Sequence, residues 1–189
     1  MLAPSDKRTL LNVARDSIAN GLATGQPLAV DPQTCSPDLR ARRASFVTLQ
    51  IDGQLRGCIG SLEAWRPLVE DVAENAFAAA FRDPRFAPLS EREFERLDYH
   101  ISILSPTEPL AFESENDLLK KLRPGVDGLV LSEGGRRGTF LPAVWESLPE
   151  PRQFLAQLKV KAGLPADYWS DTIQVERYTV EDVKSAKTE

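Results

Sequence analysis

The 189-residue sequence has little of what a metalloprotein, a disulfide-rich protein or a membrane protein requires. It contains one histidine and two cysteines, which are too few for a Cys/His zinc site or a disulfide framework. No apolar run reaches the ~20 residues of a membrane-spanning helix. The N-terminal segment MLAPSDKRTLLNVARDS carries charges where a signal peptide has its apolar region. We therefore expect a cytoplasmic protein with no Cys/His metal centre and no membrane contact, whereas a magnesium site formed by carboxylates alone stays open.

The sequence also has no excess of basic residues. The 28 acidic residues outnumber the 23 lysines and arginines, which gives a formal net charge of −5. Proteins that bind nucleic acids usually present a basic face that neutralises phosphates. The arginine-rich segment DLRARR (38–43) has no interleaved aromatic residue on which a base would stack. The composition therefore disfavours a nucleic acid as the partner.

The first 105 residues alternate between helix-like and strand-like patterns. Apolar residues recur every three or four positions in amphipathic helices and every second position in half-buried strands. These patterns predict, in order, a helix over 5–20 that ends at Gly21, a loop over 21–44 with a helical turn near 37–42, strands over 45–51 and 54–60, a helix over 67–83, a short helix over 91–95 and a strand over 97–105. The pair Asp52-Gly53 is typical of a two-residue hairpin turn.

A second unit is expected to begin after the proline-containing segment SPTEP (105–109). Its predicted elements are a short strand over 110–112, a helix over 116–122, a hairpin formed by 128–132 and 138–142, and a helix over 151–163. The segment TIQVERYTV (172–180) is predicted to be a strand that returns to the first sheet. The tail KSAKTE is expected to be disordered.

The strongest candidate site lies in the second strand of the hairpin, GQLRGCIGSL (53–62). A two-residue turn would place Leu49 opposite Arg56 and Val47 opposite Cys58. Because cross-strand partners share a face of the sheet, Arg56 and Cys58 would then project together. A neighbouring guanidinium favours the thiolate, which is the reactive form of cysteine.

The two glycines of this strand support the same hypothesis. Gly57 and Gly60 weaken a strand, so their presence indicates close approach by another backbone or by a ligand. The alternative is structural, because a free cysteine such as Cys58 is often only a small buried apolar residue. From the residues alone, both interpretations stay open.

Two further residues are weaker candidates. His100 is the single histidine, and a Cys58–His100 pair would suit nucleophilic catalysis, although an edge-strand histidine facing solvent fits the pattern equally. Arg85, in the segment DPRF (83–86), would bind a carboxylate or would form a structural corner. The glycine-rich segment SEGGRRG (132–138) lacks the ending of a phosphate-binding loop and is predicted to be a hairpin turn.

Five segments together resemble the AMMECR domain family, in the family's order and along nearly the whole chain. They are LRGCIG (55–60), AAFRDPRFAPL (79–89), PGVDGLVL (124–131), GTFLPAVWESLP (138–149) and KAGLPADYW (161–169). The resemblance implies an α/β (α+β) fold of two subdomains, each an antiparallel sheet with flanking helices, with a cleft between them. We place the larger subdomain at 1–106 plus 167–189 and the inserted one at 107–166.

In this family the LRGCIG side chains face the cleft. The resemblance therefore implies that Leu55, Arg56, Cys58 and Ile59 line it, with Gly57 and Gly60 giving access to the backbone. Bacterial and archaeal members are often called protein A of the AmmeMemoRadiSam set, which implies Memo-type and radical SAM proteins as partners. The chain has no CxxxCxxC cluster motif, so it is not the radical SAM component itself.

Two functional hypotheses follow. The first is an enzyme or enzyme-associated subunit that acts on a small molecule or peptide in the cleft. Its catalytic residues would be Cys58 and Arg56, and its binding residues would be Leu55, Gly57, Ile59, Gly60, Arg85 and His100. The second is a non-catalytic adaptor that receives a peptide or a partner's loop in the same cleft, for example by strand addition. No motif identifies a cofactor, a substrate or a reaction.

Overall fold

The computed structural model describes residues 1–185, and the predicted disorder of the last four residues of the tail lies outside this range. The chain forms two compact units, one from Met1–Leu104 with the segment that starts at Glu181, the other from Ser105–Val180. Within residues 1–185 no helix has both the length and the apolar character needed to cross a membrane.

Helices and strands alternate along the chain. In chain order they are α1 (Pro4–Thr24), α2 (Pro37–Arg40), β1 (Ser45–Ile51), β2 (Gln54–Gly60), α3 (Leu68–Phe81), α4 (Glu91–Phe94), β3 (Asp98–Leu104), β4 (Glu108–Pro109), α5 (Glu115–Lys121), β5 (Gly128–Glu133), β6 (Arg136–Phe140), α6 (Pro151–Lys161), β7 (Gln174–Tyr178) and β8 (Val180–Lys184), with short 3-10 helices at Pro32–Thr34 and Pro142–Glu146. The predicted α/β class is confirmed. The short strand expected over 110–112 lies earlier, as β4.

The first unit is a four-stranded sheet in the order β2-β1-β3-β8. Strand β1 pairs antiparallel with both β2 and β3, and α1 and α3 pack on one face of the sheet. The buried residues of this core are mainly Leu10, Ala14 and Ile18 of α1, Val72, Ala76 and Ala80 of α3, and Val47, Leu49, Ile101 and Ile103 of the sheet. The small alanines bring α3 close to the strands.

Helix α1 continues past its predicted end. Gly21 lies inside the helix, which ends at Thr24 with Gly25 in the left-handed conformation (φ 73°). A Cβ on Gly21 would lie 2.4 Å from the ring of Phe81. The glycine therefore allows α1 and α3 to pack closely, and it does not stop the helix as predicted from the sequence.

The second unit is a four-stranded antiparallel sheet in the order β4-β7-β5-β6. The prediction of one strand over 172–180 that returns to the first sheet is wrong. Strand β7 pairs with β5, and only β8, from Val180 onward, joins the first sheet. The reason is packing, because the ring of Tyr178 covers Gly128 and would lie 2.4 Å from a Cβ there.

Aromatic side chains form much of the second core. The ring of Trp145 stacks on that of Phe154 with centroids 3.7 Å apart, and its indole Nε1 donates a hydrogen bond of 2.7 Å to the carbonyl oxygen of Asp127. Phe140 and Trp169 pack against the same cluster. These aromatic residues therefore belong to the core of the second unit.

Candidate functional site

The predicted hairpin turn is confirmed. Asp52 and Gly53 both have positive φ angles, of 53° and 77°, as a two-residue type I′ turn requires. Gln54 pairs with Ile51 immediately after the turn. The β2 strand thus begins where the sequence predicts it.

The register beyond the turn differs from the prediction by one residue. The Cα partners are Thr48 with Cys58 and Leu49 with Gly57, and the pairing shifts between Leu49 and Gln50. Arg56 is the extra residue of a β-bulge at this point, so it has no partner on β1. The prediction that Arg56 and Cys58 share a face with Val47 is therefore wrong.

The bulge decides which side chains meet. Leu49 and Gly57 face the helices, whereas Thr48 and Cys58 lie on the opposite side of the sheet. We call this side, defined by Thr48, Gln50, Cys58 and His100, the polar face. Leu55 pairs with Gln50 and belongs to the same face, and 43% of its surface is exposed.

Cys58 is a half-buried free thiol held by two hydrogen bonds. The Thr48 hydroxyl Oγ1 donates to Cys58 Sγ over 3.2 Å. The backbone N–H of Cys58 donates to Asp83 Oδ2 over 3.0 Å. Because β2 is the edge strand, this N–H has no strand partner, and the Asp83 carboxylate satisfies it.

The Asp83 carboxylate is itself held by Arg85. Arg85 donates from Nε to Oδ1 (3.0 Å) and from Nη2 to Oδ2 (2.7 Å), and the Asp83 side chain is only 2% exposed. The hydrogen bonds from Arg85, aided by the Cys58 N–H, hold the pKa of Asp83 well below its usual range. The DPRF segment is therefore a structural corner whose carboxylate fixes Cys58.

Arg85 is connected to Cys58 through Asp83, whose carboxylate accepts from both residues. The hydrogen bonds to Asp83 raise the pKa of Arg85 above its usual value. The carboxylate that Arg85 binds in this structure is the internal one of Asp83. The sequence pattern identified the residue but not this partner.

Arg56, in contrast, forms hydrogen bonds with α4 and with the segment before it. Its Nε donates to Glu93 Oε1 over 2.7 Å, and its Nη2 donates to the carbonyl oxygen of Ala87 over 2.8 Å. The guanidinium also lies 5.5 Å from the ring centroid of Phe86. Hydrogen bonding by Arg56, with help from the Ser90 N–H, lowers the pKa of Glu93 to about 2.

The glycines of β2 are explained by the protein's own packing. A Cβ on Gly57 would lie 2.1 Å from the carbonyl oxygen of Ala79 in α3. A Cβ on Gly60 would lie 2.4 Å from the ring of Phe46. Ile59, between them, packs partly against the first core. Other atoms of the protein thus pack closely against both glycines. The helix backbone and the phenylalanine ring occupy the space that a side chain would need.

His100 lies on the polar face but not beside the thiol. It pairs with Thr48 across β3 and β1, so two interstrand spacings, ~10 Å in all, separate His100 from Cys58. Its Nε2 hydrogen-bonds to Asp182 Oδ1 of β8 over 2.7 Å, and Ser102 donates to the same oxygen. The hydrogen bond with His100 lowers the pKa of Asp182.

Two residues of this arrangement were missed in the sequence. Thr48 lies in the alternating segment SFVTLQI, but its pairing with Cys58 could be predicted only from the correct register. Asp182 lies in β8, which was not predicted as a separate strand. Within residues 1–185, no group of three or more His, Cys, Asp or Glu side chains is arranged to hold a metal ion.

Comparison with known proteins agrees with this fold. The family described as AMMECR1 matches residues 11–183. A protein of Methanothermobacter thermautotrophicus is 39% identical over 90% of this chain and 88% of its own length, and one of Thermotoga maritima is 37% identical over 88% of this chain and 92% of its own. The chain therefore belongs to the AMMECR1 family.

A solved structure supports the same assignment. The crystal structure of an uncharacterised protein of Pyrococcus horikoshii superposes with a TM-score of 0.83 and 34% sequence identity, covering 92% of this chain and 88% of that one. The match extends across both sheets of the present chain.

Proposed function

We propose that this protein is a thiol-dependent enzyme, or the thiol-bearing subunit of one, with Cys58 as the reacting group. The observation that carries the proposal is the hydrogen bond from the Thr48 hydroxyl to Cys58 Sγ, 3.2 Å long. The thiolate is the nucleophilic form of cysteine, and a hydroxyl donor stabilises negative charge on its acceptor. Asp83 fixes the backbone of the same residue.

The surroundings of Cys58 suggest separate roles. Arg85 holds the Asp83 carboxylate that bonds to the Cys58 N–H, and its guanidinium would stabilise an anionic group of the substrate. The His100–Asp182 pair lies farther along the polar face, where it would bind a polar group of a substrate that crosses the strands. Leu55, exposed on the same face, would contact an apolar part of that substrate.

The substrate in this proposal is a small molecule or a peptide. From the family resemblance we keep Memo-type and radical SAM proteins as the proposed partners and the cytoplasm as the proposed location. An adaptor that adds a partner strand to β2 is less well supported, because the Cys58 N–H on that edge already bonds to Asp83.

The chain offers a matched control for the experiment. Cys35 is the other free cysteine and is half-buried like Cys58. We would alkylate two single-cysteine variants, Cys35→Ser and Cys58→Ser, with iodoacetamide at several pH values. Faster alkylation of Cys58 than of Cys35 at neutral pH is expected, with a several-fold slower reaction of Cys58 in the added variant Thr48→Val. If Cys58 reacts no faster than Cys35, thiol catalysis at this site is contradicted.

A further inference from the structure

A cavity of about 360 Å³ lies in the first unit between α1, the end of α4 and β3. Its volume falls in the ~300–1,000 Å³ range of small-molecule sites. Asn12 and Arg15 of α1 line it, together with Phe94, Glu95 and Tyr99. Neither Cys58 nor any of its hydrogen-bond partners belongs to this lining.

One residue of the lining, Tyr99, carries a buried hydroxyl. Tyr99 is 8% exposed, and its hydroxyl oxygen is buried with no hydrogen-bond partner among residues 1–185. Native proteins seldom leave a buried hydroxyl unpaired. Burial raises the pKa of Tyr99 to about 12, and the charges of Arg15 and Glu95 also act on the hydroxyl. The hydroxyl is thus a neutral donor, and the charges of two lining side chains act on it.

The charged side chains that line the cavity form no ion pairs within residues 1–185. Several other arginines of this unit pair with carboxylates, as Arg56 does with Glu93 and Arg66 with Asp71. Arg15 instead packs over the ring of Phe94, 5.5 Å from its centroid, and forms no ion pair within the described part of the chain.

Acidic and apolar groups complete the lining. Glu95 and Asp98 line the cavity together with Leu97, and neither carboxylate has an ion-pair partner among residues 1–185. The cavity therefore combines a cation, two anions, a neutral hydroxyl donor and an apolar wall. A ligand that satisfies all of them carries both charges and an apolar portion.

We propose that this cavity binds a small zwitterion of the α-amino acid type with an apolar side chain. Its carboxylate would lie between Arg15 and the Tyr99 hydroxyl, and its ammonium group near Glu95. The apolar side chain would pack against Phe94. This site is independent of the thiol chemistry proposed for Cys58.

The test uses three probes that differ in one group each. L-Leucine carries both charges, leucinamide lacks the carboxylate, and 4-methylpentanoate lacks the ammonium group. Titration calorimetry of the full chain is expected to show leucine binding, with about tenfold or greater loss of affinity for each analogue. Failure of leucine to bind at millimolar concentration, or equal binding of all three probes, would overturn the proposal.

Two variants then assign the binding to this cavity. Tyr99→Phe removes only the unpaired hydroxyl and is expected to weaken leucine binding about tenfold, as is Arg15→Gln. Arg8→Gln, at an exposed position of α1, is the control and should bind as wild type does. Thermal unfolding confirms that each variant is folded. Folded Tyr99→Phe protein that binds leucine as tightly as wild type would show that the hydroxyl has no ligand role.

Discussion

The main chain of Ala79 in α3 lies directly against Gly57 of β2. A Cβ on Gly57 would be 2.1 Å from the Ala79 carbonyl oxygen, which is closer than any real Cβ contact. The partner is backbone within a buried helix, so it has no freedom to move aside. The first glycine of LRGCIG is therefore required by helix–sheet packing, whatever ligand the site binds.

Replacing Gly57 by alanine is expected to destabilise the first unit strongly. Forcing a methyl group against the α3 backbone should lower the free energy of unfolding by about 3 kcal/mol, as severe overpacking does. Urea unfolding followed by circular dichroism measures this change. The neighbouring variant Cys58→Ala, on the polar face, is the control and should lose about 1 kcal/mol or less. A Gly57→Ala protein as stable as wild type would contradict the close packing.

Arg56 and Arg85 differ in how they are connected to the thiol, since Arg56 pairs with Glu93 and Arg85 with the Asp83 carboxylate that bonds to Cys58. Arg56→Gln should leave Glu93 without its ion-pair partner and reduce stability by about 1–2 kcal/mol, while iodoacetamide alkylation of Cys58 stays within about twofold of wild type. Arg85→Gln should slow the alkylation more than Arg56→Gln does, because Arg85 holds the Asp83 carboxylate that fixes Cys58. The reverse order of rates would restore Arg56 as the partner of the thiol.

The Arg56–Glu93 pair also predicts how stability depends on pH. The pKa of Glu93 in the folded protein is about 2, against an ordinary value of 4.5. A carboxylate with a depressed folded pKa stabilises the fold at pH values above its unfolded pKa, and this contribution is lost as protons bind. The stabilisation should therefore be complete above about pH 4.5 and disappear as the pH falls towards 2.

Urea midpoints measured across this pH range test the prediction. Glu93→Gln should be less stable than wild type at neutral pH and should lose less stability on acidification. Glu91→Gln, an exposed position in the same short helix, is the matched control and should follow the wild-type curve. Parallel curves for wild type and Glu93→Gln would show that this pair does not couple to protonation.

The hairpin shows how far sequence patterns reach. Turn chemistry identifies Asp52-Gly53 correctly, because two consecutive positive φ angles favour this pair. Alternation then predicts the wrong partner for Cys58, since a bulge at Arg56 adds one residue to β2. The bulge has no local signal, because it depends on the contacts of Arg56 with Glu93 and Ala87, which are distant in sequence.

The candidate site could also be predicted only in part, because its residues can be identified from local patterns and their tertiary contacts cannot. Cys58 and Arg85 were identified as residues, yet their connection through Asp83 depends on how the turn after α3 meets the edge of β2. In the same way, a glycine is typical of a helix end, yet Gly21 lies inside α1 where this helix packs against α3. The type of a residue can be read from the local sequence. The residues that contact an edge strand or a glycine are set by the tertiary structure.

The Asp83 carboxylate is expected to protect the edge of β2 from solvent. Its hydrogen bond with the Cys58 N–H replaces the strand partner that an edge lacks, so Asp83→Ala should accelerate hydrogen exchange of the Cys58 amide about tenfold or more. Asp83→Asn keeps an acceptor oxygen and should give an intermediate rate. The amide of Thr48, in the central strand β1, is the internal control, because global destabilisation would accelerate both amides equally. Equal acceleration at Thr48 and Cys58 would mean that Asp83 only stabilises the fold, whereas acceleration at Cys58 alone would show that the carboxylate holds this residue in place.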